Sequence, residues 1–241
     1  MVKLMGVLDI RSDAERVWQA MQAGGVAIIP LDVAYGIFAQ KPEAVRRIFE
    51  AKGRSATKPS GSIGSIAIMR EVQVLTPRCL DIARALAEDY DLPFSPVAPF
   101  RADHPFFAKL DPFALARSTK AGTLDMLINA GPLHNELARL AWDRQFPIMG
   151  SSANRSLAGS KFRLADIEPE VRAAAAIEID YGLVRYANDA GISSTILSFP
   201  NVEVLRYGVC YPQIRDILAR HFGVELPPKP AGPVIVGAAR G

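Results

Sequence analysis

Short, unbroken apolar runs closed by glycine or proline alternate along this chain with stretches of helical period. That alternation constrains the fold more than any other feature. The run at 26–29 (VAII) ends at Pro30 and offers no polar side chain to water. A strand of that kind is buried on both faces, as in sheets covered by helices. Ahead of it, Ser12 to Glu15 spell a capping box, Val17, Ala20 and Met21 share one helical face, and Gly24-Gly25 stops the helix. Further helices are expected from Pro42 to near Gly53, from an N-cap at Thr76 to about Tyr90, at 132–144 and at 211–222, with 164–175 partly helical. Strands are expected at 65–69, 124–128, 147–150, 177–181, 192–199 and 202–206. Residues 91–120 are dense in proline and phenylalanine and hold no period, so they read as a long surface loop or lid. The pattern predicts an α/β domain, with a partly parallel sheet and helices on its faces, over residues 1–225 and an extended tail at 226–241.

Composition narrows the functional classes. A chain of 241 residues that is 49% hydrophobic buries a full core, which excludes wholesale disorder. The net charge of +3 is too small a field to argue for nucleic acid by itself. Cys79 and Cys210 make no disulfide scaffold, and His104, His134 and His221 are scattered singly, so no protein-ligated metal is expected. No apolar run approaches the ~20 residues that span a bilayer, and the N-terminus lacks a signal-peptide pattern. The expectation is a cytoplasmic protein without membrane contact.

Four segments carry chemistry-bearing residues at the ends of these elements. The first is the turn after the apolar run, Leu31, Asp32, Val33, Ala34 and Tyr35. The second is Lys52-Gly53-Arg54 with Lys58-Pro59, three cations at a helix exit, where a planar guanidinium and a point-charge ammonium suit a polyphosphate. The third is Ser151, Ser152, Ala153 and Asn154, directly after a strand, whose hydroxyl and amide groups suit phosphate or carboxylate oxygens. The fourth is Ser194-Thr195 leading one strand, followed by Arg206-Tyr207-Gly208 ending another. Each alone also reads as an ordinary turn or a solvated basic end.

In this order and spacing, the segments resemble the YrdC-like family, whose best-known members are threonylcarbamoyl-adenylate synthases. The family's "GG..iiPTDTvYGl" start has its counterpart at 24–37, its "KxR…KP" loop at Lys52, Arg54, Lys58 and Pro59, its "SxN" turn at Ser152 and Asn154, its "ST" strand start at Ser194 and Thr195, and its late "lRxG" at Arg206 and Gly208. The resemblance runs over about residues 12–222. It implies a twisted mixed α/β sheet flanked by helices, with a large electropositive cavity. It implies condensation of ATP, bicarbonate and L-threonine into threonylcarbamoyl-AMP with release of pyrophosphate, for tRNA modification. ATP enters as substrate with Mg²⁺ on its phosphates. On this reading Lys52 and Arg54 are catalytic, and Lys58, Ser152, Asn154, Ser194 and Arg206 hold nucleotide and phosphate.

The departures from the family pattern define the alternatives. Its "PTDT" reads Pro30-Leu31-Asp32-Val33 here, so two hydroxyls become aliphatic. Leu31, Val33 and Tyr35 are therefore expected to line an altered co-substrate pocket. The family's "vRvP" strand aligns its arginine with Leu127 and its proline with Asn129, which removes an anion clamp. Its "PGPxT" segment gives way to 92–113, leaving Arg101, Arg117 or Lys120 as substitute cations. One alternative is a divergent paralogue that binds ATP or AMP with another co-substrate, or is catalytically inactive. The other is a double-stranded RNA-binding module with Arg46, Arg47, Lys52, Arg54 and Lys58 as its basic face.

Overall fold

The computed structural model describes residues 8–55, 58–199 and 201–230. Its strands are β1 (Ala27–Pro30), β2 (Tyr35–Ala39), β3 (Gly61–Ile63), β4 (Phe94–Pro99), β5 (Thr119–Lys120), β6 (Thr123–Leu127), β7 (Met149–Ser152), β8 (Ile177–Glu178), β9 (Thr195–Ser198) and β10 (Glu203–Arg206). They form one mixed sheet in the order β10-β9-β4-β6-β3-β7-β2-β1-β8, with β5 alongside β6. The pairs β1–β8, β3–β6 and β4–β9 are parallel, and the remaining pairs are antiparallel. Helices α1 (Ile10–Gln22), α2 (Pro42–Ala51), α3 (Ile66–Val72), α4 (Pro77–Arg84), α5 (Pro112–Ala116), α6 (Pro132–Asp143), α7 (Pro169–Arg172) and α8 (Tyr211–Phe222) flank it. This is the expected α/β class, a twisted mixed sheet with helices around it.

The apolar runs do what their composition dictates. All four residues of β1 are buried, and Ile28 and Ile29 are wholly inaccessible. Each such side chain contributes about 1.5–3 kcal/mol through removal from water. Helix α1 buries Ala14, Val17, Trp18 and Met21, one helical face, and packs on α6. Helix α8 begins after Cys210, a non-glycine residue at φ 60°, and ends at Gly223, φ 61°, whose left-handed backbone closes the helix.

Three local expectations are corrected. The cap of α1 is Asp9, whose carboxylate accepts from the Ser12 amide at 3.0 Å; the helix starts one turn earlier than the capping box implied. Residues 65–69 are helix, not strand. The Ser65 hydroxyl accepts from the Ile68 amide at 3.2 Å, and Ile68, Met69 and Val72 form a buried face. A five-residue apolar run does not by itself distinguish the two.

The segment 91–120 is not a surface loop or lid. It contains β4, which lies inside the sheet between β9 and β6. Pro96 and Pro99 hid the strand, since proline supplies no ladder donor and is rare in interior strands. The phenylalanines that suggested a flap are core: Phe106 and Phe107 are 1% and 4% exposed.

Beyond α8 the chain has no regular structure to residue 230. Leu226 is nevertheless buried, its carbonyl accepting from Arg215 Nε at 3.1 Å, and Tyr211 donates its hydroxyl to the Pro227 carbonyl. The rest of the expected tail, 231–241, lies outside the described residues.

Candidate functional site

Strand register places the polar residues. Directly paired residues share a face of a sheet, and successive residues alternate. Ser152 pairs with Gly36 and Gly150 with Gly61. Ile63 pairs with Leu127, Val97 with Asp125, Ser95 with Ile196, and Ile196 with Arg206. One face therefore carries Ser152 (β7), Gly61 (β3), Asp125 and Leu127 (β6), Ser95 (β4), Ser194 just before β9, and Arg206 (β10). These strands are consecutive neighbours in the sheet, so the residues form one polar stripe across it.

The arginine at one end is fixed by the serine beside it. Arg206 donates from Nε to the Ser194 carbonyl and from a terminal nitrogen to the Ser194 hydroxyl, both at 2.9 Å. Ser194 Oγ is 3.1 Å from Ser95 Oγ. Gly208 holds this corner together. A Cβ there would stand 2.2 Å from Ser194 C and Thr195 N, and the Gly208 amide donates to the Thr195 hydroxyl at 3.2 Å. Only glycine permits that approach.

The loop after α2 brings the other cations in. Arg54 donates through Nε to the Lys58 carbonyl at 2.9 Å and through a second nitrogen to the Pro59 carbonyl. Lys58 is exposed, and Ala56 and Thr57 between them lie outside the described residues. Partial desolvation lowers the pKa of Lys58, and Arg54 and Arg206 lower it further, so Lys58 sits within the field of both arginines. Arg54 is pushed down to about 10, chiefly by desolvation, and Arg206 is pushed down by the same cause.

Lys52 is placed differently from its neighbours. It is 1% exposed, and its ammonium donates to the backbone carbonyls of Ser152 and Asn154. The ammonium expected to serve a polyphosphate braces the serine–asparagine turn. Burial, then Arg54 and Lys58, lower its pKa to about 7. The Ser156 amide returns a bond to the Lys52 carbonyl at 2.9 Å, so turn and lysine brace each other. On that turn Asn154 Oδ1 and the Ser156 hydroxyl are buried without a partner, as is the Ser151 hydroxyl on the opposite face of β7. Buried polar atoms are nearly always bonded, so the two on the turn mark unmet hydrogen-bonding capacity.

Of the residues expected to line a co-substrate pocket, Leu31 reaches the face of the stripe, its Cδ1 3.1 Å from where a Cβ at Gly36, the partner of Ser152, would stand. Tyr35 follows the alternation to the opposite face, where its hydroxyl donates to Asp180 Oδ1 at 2.7 Å and lies 3.0 Å from the Gly182 carbonyl. Val33 is 1% exposed within the core. Leu31 lines a cavity of about 280 Å³ together with Asp32, Gly131, Leu183 and Arg185. There Arg185 reaches Asp32 at 3.5 Å and Asp91 at 3.3 Å, while burial raises the pKa of Asp32. A wider, open cleft of about 660 Å³ lies beside α7 and β8. Neither concavity contains the cations. Volume alone would put the site in the open cleft, but its charged lining is the pair Arg172–Glu178, already joined at 2.6 Å. The chemistry belongs with the converging cations.

The substitute cations divide. Arg101 donates to the carbonyls of Glu71 and Gln73, both at 2.8 Å, away from the stripe. Lys120 is exposed on β5. Arg117 lies over the Phe49 ring at 5.6 Å, and Arg54 lies over the same ring at 5.8 Å, so Arg117 is the one brought near the site. Of the basic face expected for RNA, Arg47 donates to the Gly24 carbonyl and Arg46 meets Glu43 and the Phe113 ring, while both remain exposed.

Sequence reasoning missed two members of the stripe. Ser95 was hidden with the rest of β4. Asp125 sat in an expected strand, but its facing depends on register, which no local pattern reports. Burial raises its pKa, while Arg206, the Ser95 hydroxyl and Arg54 pull the other way.

Among curated proteins, none matches this sequence. Solved structures share the fold. A hypothetical protein, smu.1377c of Streptococcus mutans UA159, aligns with TM-score 0.73 and 20% identity over 88% of this chain and 93% of its own. P. abyssi Sua5, solved in complex with L-threonine, aligns with TM-score 0.66 and 23% identity over 91% of this chain but 59% of its own. Full-length HypF, in a phosphate- and nucleotide-bound form, aligns with TM-score 0.58 and 16% identity over 83% of this chain and 28% of its own. The sequence profile of the Sua5_yciO_yrdC family, described as telomere recombination, matches residues 19–208. With that match spanning most of its length and a sheet shared with Sua5, this chain belongs to the Sua5/YciO/YrdC family.

Proposed function

We propose that this protein binds a nucleoside triphosphate on the polar stripe and joins it to bicarbonate and an amino acid. The products are threonylcarbamoyl-AMP, pyrophosphate and the water lost as bicarbonate and amine form the carbamate, when the amino acid is L-threonine. The observation that carries the reading is the convergence of Arg54, Lys58 and Arg206 beside a turn with two unpartnered buried polar atoms, Asn154 Oδ1 and the Ser156 hydroxyl. Arg54 and Arg206 are held by their own hydrogen bonds before any ligand arrives, so they stabilise charge on the leaving pyrophosphate without reorganising. Ser152 and Asn154 offer the remaining contacts, and Lys52 acts as a positioning residue that shapes their turn. Among the described residues no cluster of three metal-ligating side chains exists, so Mg²⁺ would arrive on the phosphates. No covalent nucleophile is required: carbonate is set against the amine, and the carbamate against the α-phosphate, by positioning. The HypF nucleotide complex and the Sua5 threonine complex support the two ligand classes.

The test is one incubation with ATP, Mg²⁺, bicarbonate and L-threonine, following pyrophosphate and the adenylate by mass spectrometry. The expected result is product, with Arg54→Ala and Arg206→Ala each reducing the rate by about 10- to 100-fold, the loss of a charge-assisted hydrogen bond of ~1.5–3 kcal/mol. Absence of both product and ATP binding overturns the proposal. A second reading, another amine as co-substrate, is favoured by Leu127, which stands on the stripe where the family pattern has arginine.

A further inference from the structure

The stripe holds one group that a pure anion site does not need. Asp125 projects from β6 onto the face that carries Arg206, Ser95 and Ser194. Room is made for it: a Cβ at Gly61, on the neighbouring strand, would stand 3.4 Å from the Asp125 carboxyl carbon. Asp125 is the acid whose field acts on both Arg54 and Arg206. It is not their direct counter-ion. The guanidinium of Arg206 is bonded to Ser194, and that of Arg54 to the carbonyls of Lys58 and Pro59. The ion pairs among the described residues leave Asp125 out. Asp125 is partly buried, and its carboxylate stands on the face of Arg206 and within the field of Arg54 without being paired to either.

We infer that Asp125 is a specificity-determining residue that receives the ammonium of a zwitterionic co-substrate, while the cations hold its carboxylate and the nucleotide phosphates. The inference rests on the proposed function and names which end of the co-substrate meets which strand. A carboxylate amid cations repels phosphate and attracts a group of opposite charge. A divalent cation fits less well, because it takes six or more oxygen ligands and among the described residues no second and third acid join Asp125. An ammonium, with three donors, is served by one carboxylate and nearby hydroxyl or carbonyl oxygens. The same carboxylate stands two residues before Leu127, so β6 carries an acid near the position where the family pattern places an arginine. Recognition on this strand thereby shifts from the anionic end of the ligand to the cationic end.

The experiment is calorimetry on the wild type, Asp125→Asn and Asp125→Ser. The probes are L-threonine, 3-hydroxybutyrate (the same acid without the amine), inorganic pyrophosphate and Mg-ATP. Thermal melts confirm that each variant folds. The wild type should bind threonine at least about tenfold more tightly than 3-hydroxybutyrate, the discrimination that a charge-assisted hydrogen bond provides. Both variants should lose that preference to within about twofold and bind pyrophosphate several-fold more tightly, because a repelling charge is gone. Equal binding of the two acids by the wild type, failure to bind either, or a preference that survives in both variants overturns the inference. If threonine discrimination is present and depends on Asp125 while neither Mg-ATP nor pyrophosphate binds, the inference stands and the proposed function fails. If Mg-ATP binds and threonine is not preferred, the reverse holds.

Discussion

At the scale of single residues, the site depends on groups fixed by neighbours rather than on exposed charge. Lys52 is the sharpest case. Burial holds its folded pKa down at about 7, whereas an unfolded lysine stays protonated up to its ordinary value of 10.5. Between those values the unfolded chain binds the extra proton, so stability rises with pH across that window. Below about pH 7 the cost of burying the charge is fully present. Chemical denaturation should therefore show the wild type gaining stability from pH 7 to 9, with Lys52→Met abolishing the gain while loosening the serine–asparagine turn. A second residue-scale expectation concerns Gly208. Replacing it with alanine drives a methyl into the backbone of Ser194 and Thr195. Such a clash belongs with the larger single-residue effects, above about 2 kcal/mol. A Tm unchanged in Gly208→Ala would contradict the close approach.

At the scale of elements, β4 decides the site. It brings Ser95 into the stripe, separates β9 from β6, and so sets the distance between Arg206 and Asp125. A lid would exchange its amide hydrogens quickly. An interior strand with partners on both sides exchanges only through large-scale opening. Hydrogen exchange should find the amides bonded across β4–β6 and β4–β9 among the slowest in the protein, comparable to those of β1 and β2. Helix α6 offers a different test. His134 on its first turn is wholly buried, near the Ala130 amide and Asn135 Oδ1, and desolvation lowers its pKa to about 4. The ring stays neutral in the fold while an unfolded histidine protonates below about 6.5. Stability should fall as pH drops from 6.5 toward 4, and unfolding curves of His134→Phe should lack that part of the acid dependence.

At the scale of the whole molecule, the sheet is a scaffold on which six consecutive strands and their ends bring residues to a shared face. Ligand binding to that face ties together strands distant in sequence, so it should stabilise the fold globally. Mg-ATP at a hundredfold excess over its dissociation constant should add about 2.7 kcal/mol and raise Tm by a few degrees. A Tm that ignores Mg-ATP at millimolar concentration would remove the nucleotide from this face.

Much of this was legible in the chain itself. The apolar runs named β1, β6 and β9, the period named α1, α6 and α8, and the four motif segments named the family and the cations of the site. These signals are local: burial of a run or a helical face follows from residues within a few positions of one another. What the chain did not disclose depends on contact between distant segments. Tyr35 faces away from the site because β2 pairs with β7 in one register, and a shift by one residue would reverse it. Lys52 reaches a turn a hundred residues away. Residues 91–120 carried proline where a strand was needed, and only the partners β6 and β9 made that stretch a strand. Asp125 is an ordinary polar residue in the sequence; the tertiary structure alone sets it within the field of two arginines. The sequence by itself determined which residues must leave water and which charges exist, because those follow from side-chain chemistry. The tertiary structure decided which charges meet, because that follows from strand register and from the order in which the sheet assembles.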